Sequence, residues 1–197
     1  IFSSSFFSTR KPQFYDFYRK EILSALDTPP GKGFYEMARL EEMGILQTII
    51  TRRIFHLPSR AGCKNVIELH GNVYRNYCTH CGQEYSMEYV RDGEKIPLCE
   101  KCKQAIRPDV RLFGEMVDNQ VITRAATEIQ KADVLLVLGT NLKSYLCTQL
   151  LDYYEGDKLL LISKEQHFSD KFADIYWNSR VDDALDKIIT EMEKNNE

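Results

Sequence analysis

The sequence predicts an α/β fold with a parallel sheet, interrupted by a small metal-stapled module. Two observations carry this. Strand and helix patterns alternate across roughly the last ninety residues, which is the signature of a parallel sheet with crossover helices. Two C-x2-C pairs lie in a stretch, 73–107, whose apolar residues could not build a core of their own.

The elements follow in order. Phe14, Phe17, Tyr18, Ile22 and Ala25 recur at helical spacing, and Pro29-Pro30-Gly31 stops that helix. A second helix is expected over Phe34–Met43, with Gly44 as its C-terminal cap. Thr48–Thr51 and Val66–Leu69 read as short buried strands, and Val110–Phe113 resumes the strand pattern after the module. A helix over 119–131 runs into Val134–Leu138, a continuous apolar run of the kind found in parallel strands buried on both faces. A helix over Tyr145–Tyr154 and a strand over Lys158–Ser163 come next. Val181, Ala184, Leu185, Ile188, Ile189 and Met192 give the last helix its apolar stripe, and the acidic residues opposite read as its solvated face.

Composition narrows the function. A hydrophobic share of 43% with 11% aromatics is enough for a real core in a chain of 197 residues. Lys+Arg 26 against Asp+Glu 29 leaves a net charge of −3, which argues against a nucleic-acid coat or a basic membrane patch. The longest apolar run is Val134–Leu138, far below the ~18 residues of a spanning helix. Ile1–Ser5 shows no secretory pattern, so the chain is read as soluble and cytoplasmic, with no membrane partner.

Cys78-Thr79-His80-Cys81 and Cys99-Glu100-Lys101-Cys102 are separated by seventeen residues, within the zinc-ribbon range. Two thiolates two residues apart on a tight turn can occupy adjacent corners of a tetrahedron, and the second pair supplies the other two. Disulfides or redox pairs are the alternative, but redox pairs usually stand singly. Four sulfurs close the coordination sphere, so the zinc would be structural. His80 is a weaker fifth candidate, Gly82 suits the turn, and Cys63 and Cys147 read as small apolar residues. A zinc ribbon can also bind nucleic acid, but the near-neutral chain offers no aromatic-plus-basic face in 73–107. Gly139-Thr140-Asn141 follows a strand and precedes a helix; it is either a phosphate-approaching turn or a plain strand–helix connection.

The ordered set Glu68-Leu69-His70-Gly71, the two cysteine pairs, Arg107 through Glu115 with its Phe113-Gly114-Glu115, and Leu138-Gly139-Thr140 resembles the Sir2 (sirtuin) family from about Pro12 to Leu185. The resemblance implies a Rossmann-like NAD-binding domain (1–72 and 108–197) with an inserted zinc module (73–107). It implies an NAD-dependent protein-lysine deacetylase or deacylase, moving the acyl group from lysine to ADP-ribose with release of nicotinamide. His70 then matches the catalytic histidine, which takes a proton from a ribose hydroxyl. Gly139 and Thr140 match nucleotide contacts, Asn141 and Ser163 stand at two more with other residues than the family's, and Val181 falls near the adenine-side contact. Val110, Phe113, Gly114 and Glu115 match the segment that receives an acyl-lysine peptide, and Cys78, Cys81, Cys99 and Cys102 match the structural zinc site.

The sequence also departs from the family. Its opening strand, Gly-Ala-Gly-x-Ser loop and Gly-x-Pro-Asp-Phe-Arg segment have no counterpart, and Ile1–Pro12 resembles the stretch that follows them. A fragment or truncated relative is therefore expected, weakly active or inactive alone, with one strand edge of the sheet unpaired. The family's Thr-Gln-Asn-Ile-Asp-x-Leu-His stands here as Thr51-Arg52-Arg53-Ile54-Phe55-His56-Leu57-Pro58. Arg52 and Arg53, with Arg60 and Lys64, form a basic stretch that either meets phosphate or is simply solvated. Asn141 and Ser163 replace Ser and Asn and keep hydrogen-bonding capacity. A degenerate relative that binds a nucleotide or peptide without turnover is the second expectation.

Overall fold

Ser3 accepts a hydrogen bond from Phe6 N–H at 3.3 Å and opens the first helix, α1 (Ser4–Thr9). In this computed structural model, which describes residues 1–194, α2 (Lys11–Phe17) follows directly. The single helix expected through Ala25 is not uniform: α2 widens into a π turn over Tyr18–Ile22 and tightens into a 3-10 turn over Leu23–Asp27. Packing explains the change. On a regular helix Leu23 would point about 140° away from Tyr18. The π turn absorbs one residue, so Phe14, Tyr15, Tyr18, Leu23 and Leu26 are all buried in one cluster.

The second helix, α3 (Lys32–Glu42), begins two residues earlier than expected. Gly44 caps it at φ +73, and Ile45 and Leu46 donate to Leu40 O at 3.0 Å each. Then come β1 (Ile49–Thr51), half-buried rather than buried, α4 (Leu57–Arg60) and β2 (Val66–Glu68), with β1 and β2 paired in a two-stranded sheet.

An antiparallel sheet of order β4-β3-β5 carries the cysteine pairs: β3 (Gly71–Cys78), β4 (Glu84–Tyr85) and β5 (Ile106–Val110), with α5 (Met87–Asp92) after β4. The strand expected over Val110–Phe113 therefore starts at Ile106, because Cys78 pairs with Ile106 and Tyr77 with Arg107. Beyond Val110 the chain forms only an isolated bridge, Phe113 with Ser3.

A third sheet follows α6 (Asn119–Gln130). It has the order β6-β7-β8 and is all parallel, with β6 (Val134–Leu138), α7 (Tyr145–Leu151), β7 (Lys158–Ser163), β8 (Ile175–Asn178) and α8 (Val181–Lys194). The parallel pairing agrees with the apolar run, but burial on both faces does not. Among the described residues β6 pairs with one strand only; Val134 is 53% exposed and Val137 alone in the strand is buried, whereas Leu161, Ile162 and Ser163 of the central β7 are buried. α7 stops at Leu151, and beyond it the Tyr154 hydroxyl accepts from Lys158 N–H at 3.0 Å and lies within hydrogen-bond reach of Asp133 O at 2.8 Å and Lys158 O at 2.7 Å, either of which can take its one proton. β8 has no counterpart among the expected elements.

By contacts the chain forms two compact units. One comprises Ile1–Pro29, Thr51–Leu57 and Glu68–Asp118; the other Pro30–Ile50, Pro58–Ile67 and Asn119–Glu197. The first is built on the aromatic cluster around Phe14 together with Val73, Cys78, Cys99, Ile106 and Val110. In the second, α3 packs on α8 through Met37, Leu40, Leu185 and Ile189, and Asp182 accepts from Gly33 N–H at 2.9 Å.

Candidate active site and metal centre

The two cysteine pairs fold into matching knuckles. Cys78 N–H donates to Gln83 O at 2.8 Å and Gly82 N–H to Cys78 O at 3.0 Å; Cys99 N–H donates to Gln104 O at 2.7 Å and Lys103 N–H to Cys99 O at 2.8 Å. Gly82 at φ +70 and Lys103 at φ +61 occupy the same left-handed position in each. The four Sγ atoms lie within 4.8 Å of one another, with Cys78–Cys102 at 3.4 Å, Cys81–Cys99 at 3.6 Å and Cys81–Cys102 at 3.7 Å. A tetrahedral zinc with ~2.3 Å bonds sets sulfur edges of about 3.8 Å, so the residues fit zinc and leave no open position. Only His80's backbone approaches, donating to Cys78 Sγ at 3.4 Å. The Tyr85 hydroxyl donates to Cys99 Sγ at 3.1 Å while accepting from Glu100 N–H at 2.8 Å. Against burial, which raises it, this hydroxyl and the N–H groups of Cys102 and Lys101 bring the Cys99 thiol down to about 6.

His70 sits on the turn between β2 and β3. Its carbonyl accepts from Arg111 N–H at 2.9 Å, and the preceding Leu69 N–H donates to Thr51 O at 2.9 Å. Gly71 makes this geometry possible. It lies at φ +68, and a Cβ there would meet Asp109 O at 1.9 Å. The His70 imidazole titrates below its ordinary value because burial disfavours the cation, with Arg52 and Arg111 adding positive charge nearby. Its Nδ1 is buried without a hydrogen-bond partner. Next to it, Glu68 is occupied by His56 Nδ1 at 2.7 Å and Asn72 Nδ2 at 2.5 Å. Arg52 and Arg53 are exposed, and Arg53 N–H donates to Thr51 Oγ1 at 3.0 Å.

Val110, the last residue of β5, is buried, and beyond it Phe113 is 78% exposed, with Gly114 at φ +90. Glu115 turns inward to pair with Arg107 at 2.6 Å and to accept from Leu112 N–H at 2.9 Å. That pair holds its carboxyl below the ordinary range despite burial, which works upward.

In the second unit, Gly139 and Ser163 terminate the neighbouring strands β6 and β7, where Leu138 stands opposite Ile162. Gly139, at φ +62, donates to Ile162 O at 2.9 Å, and a Cβ there would touch Val181 Cγ2 at 3.7 Å. Thr140 Oγ1 reaches Ser144 Oγ at 3.5 Å, and Asn141 Oδ1 accepts from Lys143 N–H at 3.0 Å. Ser163 Oγ donates to Glu165 O at 3.0 Å. Gly139, Ser163 and Val181 thus meet at the C-terminal end of a parallel sheet, where such folds bind ligands.

A model of the Sir2 family matches residues 1–145. The chain belongs to the Sir2 family. It is 38% identical over 190 residues to an NAD-dependent protein deacetylase of Clostridium acetobutylicum, covering 96% of this chain and 77% of the relative. It superposes on a solved Sir2 complex with a p53 peptide and NAD+ at TM-score 0.88 and 30% identity, covering 98% of this chain and 82% of that one. A Sir2 structure bound to a propionylated peptide gives TM-score 0.89 at 31% identity, covering 98% and 83%. The sirtuin fold class and the four-cysteine zinc module read from the sequence agree with these matches. Within this sirtuin, Phe55 packs against the core of the first unit, and Arg53 is exposed. An apolar ring and a cation cannot make the hydrogen bonds of the carboxylate and amide they replace.

Proposed function

We propose that this sirtuin is an NAD-dependent protein-lysine deacylase. It takes an acyl-lysine protein or peptide as substrate and NAD as co-substrate, transfers the acyl group to ADP-ribose, and releases nicotinamide. The observation that carries this reading is the state of His70: burial and two neighbouring guanidiniums favour neutral imidazole, and Nδ1 is buried and unsatisfied. A neutral imidazole is what a general base must offer, and an unpaired buried polar atom is retained where function needs it. When bound, NAD supplies the electrophilic ribose carbon and the hydroxyl whose proton His70 accepts.

The other residues take supporting roles. Gly139, Thr140, Asn141, Ser163 and Val181 contact the nucleotide, with Arg52 and Arg53 as cationic contacts. Phe113 and Gly114 present the peptide-receiving backbone; buried Val110 and the Glu115–Arg107 pair fix its shape. Residues 73–107 hold one structural zinc, and 1–72 with 108–197 bind NAD. A cytoplasmic location, where thiols stay reduced, belongs to this proposal.

Arg53 and Phe55 favour a second reading, a relative that binds without turnover. Titration calorimetry of NAD and ADP-ribose into the zinc-loaded chain separates the two, beside Arg53→Asn/Phe55→Asp. Binding and peptide-dependent nicotinamide release by the unmodified chain support the deacylase. Release only by the double variant establishes the degenerate relative.

A further inference from the structure

Residues 112–115 belong to no helix or regular strand, yet their backbone is tied down by residues 2–4. Phe113 N–H donates to Phe2 O at 3.1 Å, and Phe113 O accepts from Ser4 N–H at 3.0 Å, a parallel bridge centred on Ser3. The Ser4 hydroxyl adds a longer bond to the same carbonyl at 3.4 Å. The Phe113 ring, 78% exposed, cannot hold this position by packing.

The tie is anchored in the aromatic core. The Phe2 ring stacks on Phe14 with centroids 6.1 Å apart and on Tyr18 at 6.4 Å, and both partners are fully buried. From α1, Phe7 packs edge-on against Phe14 at 5.0 Å and lies under the Arg107 guanidinium at 5.5 Å, which in turn pairs with Glu115. The segment is thus gripped twice, through the main chain of Phe113 and through the side chain of Glu115.

The same bonds leave one edge open. In an extended chain the N–H and C=O of one residue face one edge, and those of its neighbours face the other. Phe113 commits both groups to residues 2–4. Leu112 bonds within the segment: its N–H donates to Glu115 Oε2 at 2.9 Å, and its carbonyl accepts from Glu115 N–H at 3.0 Å. The N–H and C=O of Gly114 have no partner among the described residues.

We infer that residues 2–4 are the positioning strand of the peptide-receiving segment: they occupy its Phe113 edge, so that an acyl-lysine peptide adds on the opposite edge, at Gly114. This rests on the deacylase reading above and names how its peptide site is organised. An edge held in place before the peptide arrives spares the cost of ordering it on binding. Ser4 is therefore a positioning residue that acts through Phe113.

The test turns on Ser4. Ser4→Pro deletes the N–H that bonds Phe113 O, and proline is tolerated there, because Ser4 is the first residue of α1 and Ser3 before it is extended at φ −132, ψ 156. Ser4→Ala keeps the N–H and loses only the hydroxyl. Anisotropy of a fluorescent acetyl-lysine peptide on the full zinc-loaded chain, with ADP-ribose present, should show about fivefold weaker binding for Ser4→Pro and binding within about twofold for Ser4→Ala. ADP-ribose affinity and zinc content should be unchanged in both, and amide exchange at Phe113 should quicken in Ser4→Pro alone. Should Ser4→Pro fail to fold by circular dichroism, Phe2→Ala, which removes the stacked anchor, carries the test with the same expected loss. Equal peptide affinity in the unmodified chain and a folded Ser4→Pro overturns the positioning role and leaves the deacylase reading standing. Tighter peptide binding by Ser4→Pro also overturns it, because residues 2–4 would then compete with the peptide. A parallel loss of ADP-ribose affinity in the folded variant marks a general loosening and overturns it as well. No peptide binding by the unmodified chain overturns both readings.

Discussion

Replacing Gly71 by alanine is the most direct probe of how the chain builds its histidine turn. The added Cβ would sit 1.9 Å from Asp109 O and 2.9 Å from its carbonyl carbon, both backbone atoms that no rotamer change can move. Reaching even 3.0 Å from that oxygen requires a shift of about 1.1 Å between β3 and β5, judged against the closest contact real Cβ atoms make. The left-handed φ of +68 adds a cost of its own, ~1–2 kcal/mol for a residue with a Cβ. Separating the strands also weakens the Arg111 N–H to His70 O bond, worth ~1 kcal/mol. The expected loss is about 3–5 kcal/mol, at the upper end for single substitutions. The structure supplies a control: Gly82, at φ +70, has nothing within 4 Å of its would-be Cβ, and Lys103 holds the same place in the second knuckle at φ +61. Gly82→Ala should cost no more than ~1–2 kcal/mol. Urea unfolding of the zinc-loaded proteins, followed by tryptophan-independent circular dichroism and by hydrogen exchange in residues 68–118, measures both. Equal losses for the two variants would refute the close-approach argument.

Three further outcomes are expected. Cys99→Ser should lower zinc affinity and remove exchange protection from β3 and β5, as should a strong chelator on the unmodified chain, because a closed thiolate site couples metal binding to folding; protection that survives full zinc removal would contradict this. Tyr85→Phe should keep the fold and its tilted ring contact with Tyr89, centroids 4.7 Å apart, but release zinc to a chromogenic chelator several-fold faster, since Cys99 loses its hydroxyl donor; unchanged release kinetics would contradict that role. Glu115 has a native carboxyl held below its ordinary value, so its pairing stabilises the fold above pH ~4.3 and is lost as pH falls through the lower native value. Glu115→Gln should be less stable at neutral pH and show a flatter loss on acidification, and parallel acid titrations of the two proteins would count against the pair.

Local chemistry was the most legible part of the sequence. Cysteine spacing alone predicts the zinc tetrahedron, because each knuckle is set by hydrogen bonds within six residues, from Cys78 to Gln83 and from Cys99 to Gln104. The apolar stripe of α8 and the strands β6 and β7 were likewise present in the hydrophobic pattern. What escaped depends on distant partners. The π turn at Tyr18 is imposed by packing Leu23 and Leu26 into the Phe14 cluster, and helical spacing carries no sign of it. Lys103 hides a left-handed turn that a glycine would have advertised. The exposure of Val134 follows from β6 standing at the edge of the sheet, whereas its composition alone reads as a doubly buried strand. The environment of His70 is assembled from Thr51, Arg52, Asp109 and Arg111, so a lone histidine before a glycine shows none of it until β2, β3 and β5 are in place.

The central claim is that His70 is the general base of an NAD-dependent deacylase. Its most direct test is a single mass balance on the zinc-loaded chain with NAD and an acetyl-lysine peptide. The account predicts nicotinamide and free lysine peptide in equal amounts, and no free lysine peptide from His70→Ala at unchanged zinc content. Deacylated peptide formed by His70→Ala at the rate of the unmodified chain would contradict it.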